Sequence, residues 1–156
     1  MKKDIYNNFF KIVLAINILF IGCSSQLNKE VVEIYDDGSI KKESFYNISN
    51  KNKEVIKEIQ YYKSGQKRYV GLFENGEKNG KWIFWFENGK KWSEGYFLAG
   101  VRTGKTKVYY ENGKLFYSGE YLKGKKHGNW KFYNQDGNKT KEITFENGKE
   151  IKQTEK

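Results

Sequence analysis

The chain has 156 residues, with 16 glycines, no proline and aromatic side chains at 17% of positions, a length that suits one domain. Its net charge of +10 comes from 29 basic and 19 acidic residues, yet Arg68 and Arg102 are the only arginines. Lysines interspersed with acids form a solvated surface, so no nucleic-acid partner is expected, since phosphate and guanine are read by the bidentate Arg fork. The missing proline and abundant rings suit paired β-strands, which use every backbone N–H and favour aromatic side chains. An AT-rich coding sequence would enrich Lys, Asn, Ile, Phe and Tyr in the same direction.

The amino terminus reads MKKDIYNNFFKIVLAINILFIGCSS. A basic start (Lys2, Lys3, Lys11) precedes an apolar run from Ile12 to Ile21 that is broken by Asn17. The run is well short of the roughly 20 apolar residues of a spanning helix and has the build of a secretory signal. It ends at Gly22-Cys23, and Cys23 is the only cysteine. This ending resembles a bacterial lipobox, with Phe20 standing where Leu is usual. The resemblance implies cleavage before Cys23, its acylation, and an envelope location, because two or three acyl chains anchor far better than one. Ser24 and Ser25 follow without an Asp, which implies the outer membrane or cell surface rather than the inner membrane. The expected divisions are therefore a signal over 1–22, a lipidated Cys23 with a tether over 23–32, a repeat domain over 33–152 and a tail over 153–156.

The remainder repeats. Gly65, Gly89, Gly113 and Gly137 are evenly spaced, as are Gly71, Gly95 and Gly119; Gly76, Gly100, Gly124 and Gly148; and Gly80, Gly104 and Gly128. Every step is 24 residues, the mark of a repeat architecture. Each unit reads as a hairpin. Asn88-Gly89, Asn112-Gly113 and Asp136-Gly137 predict two-residue type I′ turns, whose central residues both need positive φ. That turn would place Glu87 opposite Lys90, Trp85 opposite Trp92 and Trp82 opposite Gly95. In the next unit Glu111 would face Lys114, Tyr109 would face Phe116, and Thr106 would face Gly119. A second turn, LAGVRTG or LKGKKHG, joins one hairpin to the next. Two columns are aromatic throughout (Tyr61, Trp85, Tyr109, Tyr133, and Phe73, Phe97, Tyr121, Phe145) and predict ladders of stacked rings. The expected fold is all-β, an elongated twisted antiparallel sheet of about ten strands stabilised between neighbours. Residues 47–57 carry a three-residue insertion, and the KEIKQTEK ending suits a cap.

YSGEYLKGKKHG resembles the MORN repeat, with Tyr117, Gly119, Glu120, Gly124, Lys125, His127 and Gly128 fitting best. The units resemble the bacterial MORN-variant class, including YwqK-type antitoxins, over about residues 33–150. The resemblance implies a β-hairpin fold and roles in protein or membrane association, with no catalytic residue. Its acidic position, Glu120 here, becomes Leu72 and Tyr96 in the sister repeats.

The repeat also supplies a control for chemistry. His127, the only histidine, shares its column with Asn79 and Thr103 and has no second strong ligand at metal spacing. Gly100 to Thr106 lacks both the spacing and the following helix of a phosphate-cradling loop. No catalytic residue, cofactor or metal is expected, and the chain reads as non-enzymatic. The leading expectation is a lipid-anchored module binding another envelope protein through Trp85, Trp92, Tyr96, Tyr109, Phe116 and Tyr133. Trp82, Phe84 and Phe86 are expected on one sheet face, and Trp85, Trp92 and Tyr96 on the other. The alternatives are an antitoxin that occludes a cognate toxin, and a surface for anionic lipid or glycan.

Overall fold

The computed structural model describes residues 28–49 and 52–155. The signal, Cys23 and the start of the tether lie outside the described residues. Eleven antiparallel strands form a single open sheet in chain order: β1 Asn28–Ile34, β2 Ile40–Ser49, β3 Asn52–Tyr61, β4 Lys67–Glu74, β5 Glu77–Trp85, β6 Lys91–Leu98, β7 Val101–Tyr109, β8 Leu115–Leu122, β9 Lys125–Tyr133, β10 Lys139–Glu146 and β11 Lys149–Glu155. The twisted all-β repeat sheet expected from the sequence is what forms. It runs from Asn28 to Glu155, with the carboxyl-terminal KEIKQTE segment as an edge strand.

The turns at Asn88-Gly89 and its equivalents differ from expectation. At Asn88-Gly89 the Gly89 N–H donates to the Phe86 carbonyl, and the Phe86 N–H to that of Lys90. The loop therefore holds three residues, Glu87 to Gly89. Only Gly89, at φ 80°, is left-handed, as in a type I turn closed by a glycine bulge. The Asn88 carboxamide oxygen accepts the Lys90 N–H at 2.9 Å, which fixes the turn from inside. Phe86, and not Glu87, thus faces Lys90. The same arrangement recurs at Tyr110–Lys114. The type I′ turns are at the other column. Asn75-Gly76, Ala99-Gly100, Lys123-Gly124 and Asn147-Gly148 all have positive φ at both residues, and Leu98 pairs directly with Val101.

A bulge beside each three-residue turn absorbs the shift. Trp82 faces Gly95 and Thr106 faces Gly119, as expected. Nearer the turn, however, Trp85 faces Lys91 instead of Trp92, and Tyr109 faces Leu115 instead of Phe116. Trp92 and Phe116 are the extra residues of these bulges, and each is turned to the opposite face from the one its count predicts.

Successive hairpins are laced at both margins. The Gly100, Gly124 and Gly148 N–H groups donate at 2.9 Å to the carbonyls of Lys78, Arg102 and Lys126. At the other margin the hydroxyls of Tyr35, Tyr62 and Tyr110 donate to the carbonyls of Tyr61, Trp85 and Tyr133, at 2.8–2.9 Å. Phe86 stands in the same column and has no hydroxyl to give.

Candidate interaction surface

One face of the sheet is built on Trp82 and Trp130, which are 3% and 1% exposed. Each indole leans over a glycine of the preceding strand, and its N–H donates to the carbonyl of the next residue. Trp82 covers Gly71 and bonds Leu72 at 3.0 Å, while Trp130 covers Gly119 and bonds Glu120 at 3.2 Å. The glycine is required, because a Cβ at Gly71 or Gly119 would lie 2.3 or 2.2 Å from the ring. The column Phe73, Phe97, Tyr121, Phe145 does not stack on itself. Phe73 and Phe97 meet Trp82 edge-on at 5.2 and 5.9 Å, and Tyr121 and Phe145 meet Trp130 likewise at 5.1 and 6.0 Å. Tyr69 stacks on Trp82, and Tyr117 packs against Trp130 at a tilt.

A row of cations crosses these rings. Lys78 Nζ lies 4.2 Å from the Trp82 centroid and 5.2 Å from Phe97, and Lys126 Nζ lies 4.7 Å from both Trp130 and Phe145. Arg102 occupies the same column, 5.6 Å from Phe97 and 5.4 Å from Tyr121. None of the three is in an ion pair among the described residues.

The repeat between the two tryptophans is hollow. Thr106 takes the tryptophan position, Ser93 the position of Tyr69 and Tyr117, and Val108 that of Phe84 and Phe132. A cavity of about 180 Å³ results, with Trp82, Phe97 and Trp92 on one side and Arg102 and Tyr117 on the other. Neither the cation column nor the substituted repeat figured in the sequence reading. The 24-residue period contains both, once columns are compared for what they lack as well as for what they share.

The opposite face is wetter and ionic. Glu94 bonds Lys91 at 3.1 Å and Lys81 at 3.3 Å, and accepts the Tyr109 hydroxyl at 3.3 Å. Burial pushes its carboxyl up, but the two ammoniums outweigh that and hold it below the ordinary carboxylate range. Glu43 is likewise lowered by hydrogen bonds from Lys29 and Tyr61. The Tyr61 phenol is pushed up to about 12 by burial and by the Glu43 carboxylate.

The six residues expected to bind a partner divide between the faces. Trp92 packs with Phe84 and Phe86, and Phe116 with Tyr110 and Tyr117, which places both on the tryptophan face. Trp85, Tyr96, Tyr109 and Tyr133 fall on the ionic face, where Tyr109 is held by Glu94 and Tyr96 is 42% exposed. His127 pairs with Glu120 across β8 and β9, and is exposed. Among the described residues no three His, Cys, Asp or Glu side chains gather as a metal site, and no helix is long and apolar enough to cross a membrane.

Three consecutive segments, 78–99, 102–123 and 126–147, match the MORN repeat variant. They begin at Lys78, Arg102 and Lys126 of the cation row, and each ends in the following type I′ turn. No curated protein matches the chain. Among solved structures it is similar to TarM, at 20% identity over 78% of this chain and 20% of that one, with a TM-score of 0.32. A structure of an S. aureus TarM mutant in complex with fondaparinux, alpha-GlcNAc-glycerol and UDP is similar at 18% identity, covering 80% of this chain and 21% of that one, with the same TM-score. The chain thus spans a small part of the length of these proteins.

Proposed function

We propose that this chain is a non-enzymatic, lipid-anchored repeat module of the bacterial envelope that captures another envelope protein on its tryptophan face. The observation that carries this reading is an aromatic face without a second layer among the described residues. Trp92 and Phe116 are 47% and 38% exposed there, and Lys78, Arg102 and Lys126 on the same face have no carboxylate partner among the described residues. Exposed aromatic area bordered by polar groups marks contact sites, and tryptophan and arginine dominate binding energy at such sites. The ionic face is a weaker candidate, because Glu94 and Glu142 there are already paired with lysines of the same sheet.

The test is photo-cross-linking in the native envelope, with p-benzoylphenylalanine placed at Trp92 or Phe116, and at Lys107 on the opposite face. Adducts to one defined envelope protein from the first two positions and none from Lys107 are expected. Equal labelling from both faces, or no adduct from any position, would overturn the assignment. Intact mass and fractionation beside Cys23→Ser test the anchor, and an unmodified soluble wild-type chain would remove it.

A further inference from the structure

We infer that the hollow over Gly95 is a seat for an indole, and that it receives a tryptophan side chain from an acidic segment of a partner protein. The inference rests on the reading of the tryptophan face as an interaction surface, and it names the group recognised there.

Three elements that surround Trp82 and Trp130 have counterparts at the hollow. The floor is a glycine: Gly95 stands where Gly71 and Gly119 do, and a Cβ on it would meet only the Thr106 side chain, at 3.3 Å. The acceptor corresponds by repeat position, as the carbonyl after that glycine. Leu72 and Glu120 receive the indole N–H of Trp82 and Trp130, and the corresponding residue here is Tyr96. Thr106 bonds the Glu94 carbonyl instead, at 3.1 Å. The roof is the cation: Lys78 and Lys126 each cover an indole, whereas Arg102 covers Phe97 and Tyr121 with no indole of its own repeat beneath it.

The space is large enough for a ring. The volume is about 180 Å³, and the side chains that would crowd it are small in this one repeat, Ser93, Thr106 and Val108. Cavities with apolar walls bind aromatic rings of matching size, and a guanidinium over the ring face adds cation–π attraction. A ring already held in the same surroundings twice in this molecule is the fitting shape. The partner's flanks follow from charge: Arg102 and the neighbouring Lys78 have no carboxylate partner among the described residues, so aspartate or glutamate beside the inserted tryptophan meets them.

The experiment titrates the ¹⁵N-labelled 156-residue chain with N-acetyl-tryptophanamide and with a peptide holding one Trp between aspartates. Amide shifts centred on Gly95, Tyr96 and Thr106 are expected, with the peptide binding several-fold more tightly and losing that advantage in high salt. Replacing the peptide's Trp with Ala abolishes binding. Thr106→Trp fills the seat from within, so it raises Tm and removes the shifts. Gly95→Ala, which crowds only Thr106 in the free chain, keeps the fold and weakens binding at least tenfold. Arg102→Ala weakens it a few-fold.

Absent shifts in the wild-type chain would overturn the inference, as would shifts that persist unchanged in both Thr106→Trp and Gly95→Ala. So would maltose or dodecylphosphocholine occupying the same residues while the tryptophan amide does not, which would assign the seat to a sugar or a lipid. Cross-links from Trp92 that survive such a result leave the wider surface standing and remove only the indole. Their loss removes the wider reading.

Discussion

Gly71, Gly95 and Gly119 are indistinguishable in sequence, but they do different work. At Gly119 the Trp130 ring occupies the space a methyl group would need, at 2.2 Å, so Gly119→Ala forces the indole out of its seat. A loss of about 1–3 kcal/mol is expected in urea unfolding, the usual range for overpacking. Gly95→Ala meets only the Thr106 hydroxyl, at 3.3 Å, and is expected to cost less than about 1 kcal/mol. Equal losses at the two sites would show that both glycines serve the backbone and not the ring. The comparison also shows what sequence reading missed. Thr106 opposite Gly119 was legible as a pair, because the bulge at Phe116 cancels the extra turn residue and restores the register counted from a two-residue turn. That Thr106 leaves Gly95 uncovered was not, because the covering ring comes from the strand after the glycine and leans backwards across the pair.

At the scale of the hairpin, the period and the strand pairs could be read, and the turns could not. Asn-Gly suits both a two-residue type I′ turn and a three-residue turn closed by a glycine bulge, so composition leaves the choice open. Here the Asn88 side chain caps the Lys90 N–H, and the second geometry results. The bulge carries Trp92 and Phe116 to the tryptophan face, so the expected division of aromatics was wrong for Trp92. Conversely, Ala99-Gly100 and Lys123-Gly124 carry no Asn or Asp signal, yet both form type I′ turns with Ala99 and Lys123 at φ 47° and 51°. The register across Leu98 and Val101 and the Gly100 bond to Lys78 hold Ala99 in that conformation. A left-handed L-residue costs about 1–2 kcal/mol, part of which is offset by the greater chain entropy of glycine. Ala99→Gly is therefore expected to raise stability by about 0.5–1 kcal/mol in denaturant titration, and Asn75→Gly to change it far less. A destabilised Ala99→Gly would mean that the turn is not strained.

The molecule as a whole is a ladder that can be shortened. Each strand pairs only with those before and after it in the chain, and each margin bond spans one repeat. Deleting residues 101–124 joins Gly100 to Lys125, which stands at the position after the turn where Val101 stood. The shortened sheet is expected to fold, with Trp130 now over Gly95 and a urea m-value lower by roughly a fifth. A chain that fails to fold, or an unchanged m-value, would show coupling beyond neighbours. The ends of the ladder are protected differently. The terminal strand β11 is exposed throughout, with Ile151 flanked by Glu150 and Lys152, whereas β1 shows Val31 and Ile34, 47% and 63% exposed, on a strand bent by two register shifts. Charge and bending both discourage pairing with another chain.

The strand order has a kinetic consequence. A β-protein normally waits for distant segments to meet, and the entropy of closing those long loops makes it slow. In this sheet no strand waits for anything farther away than the next turn. The sheet can therefore grow one hairpin at a time, as fast as the chain is delivered from a ribosome or a pore. A terminus that emerges first can lay down a finished edge on which the rest condenses in sequence.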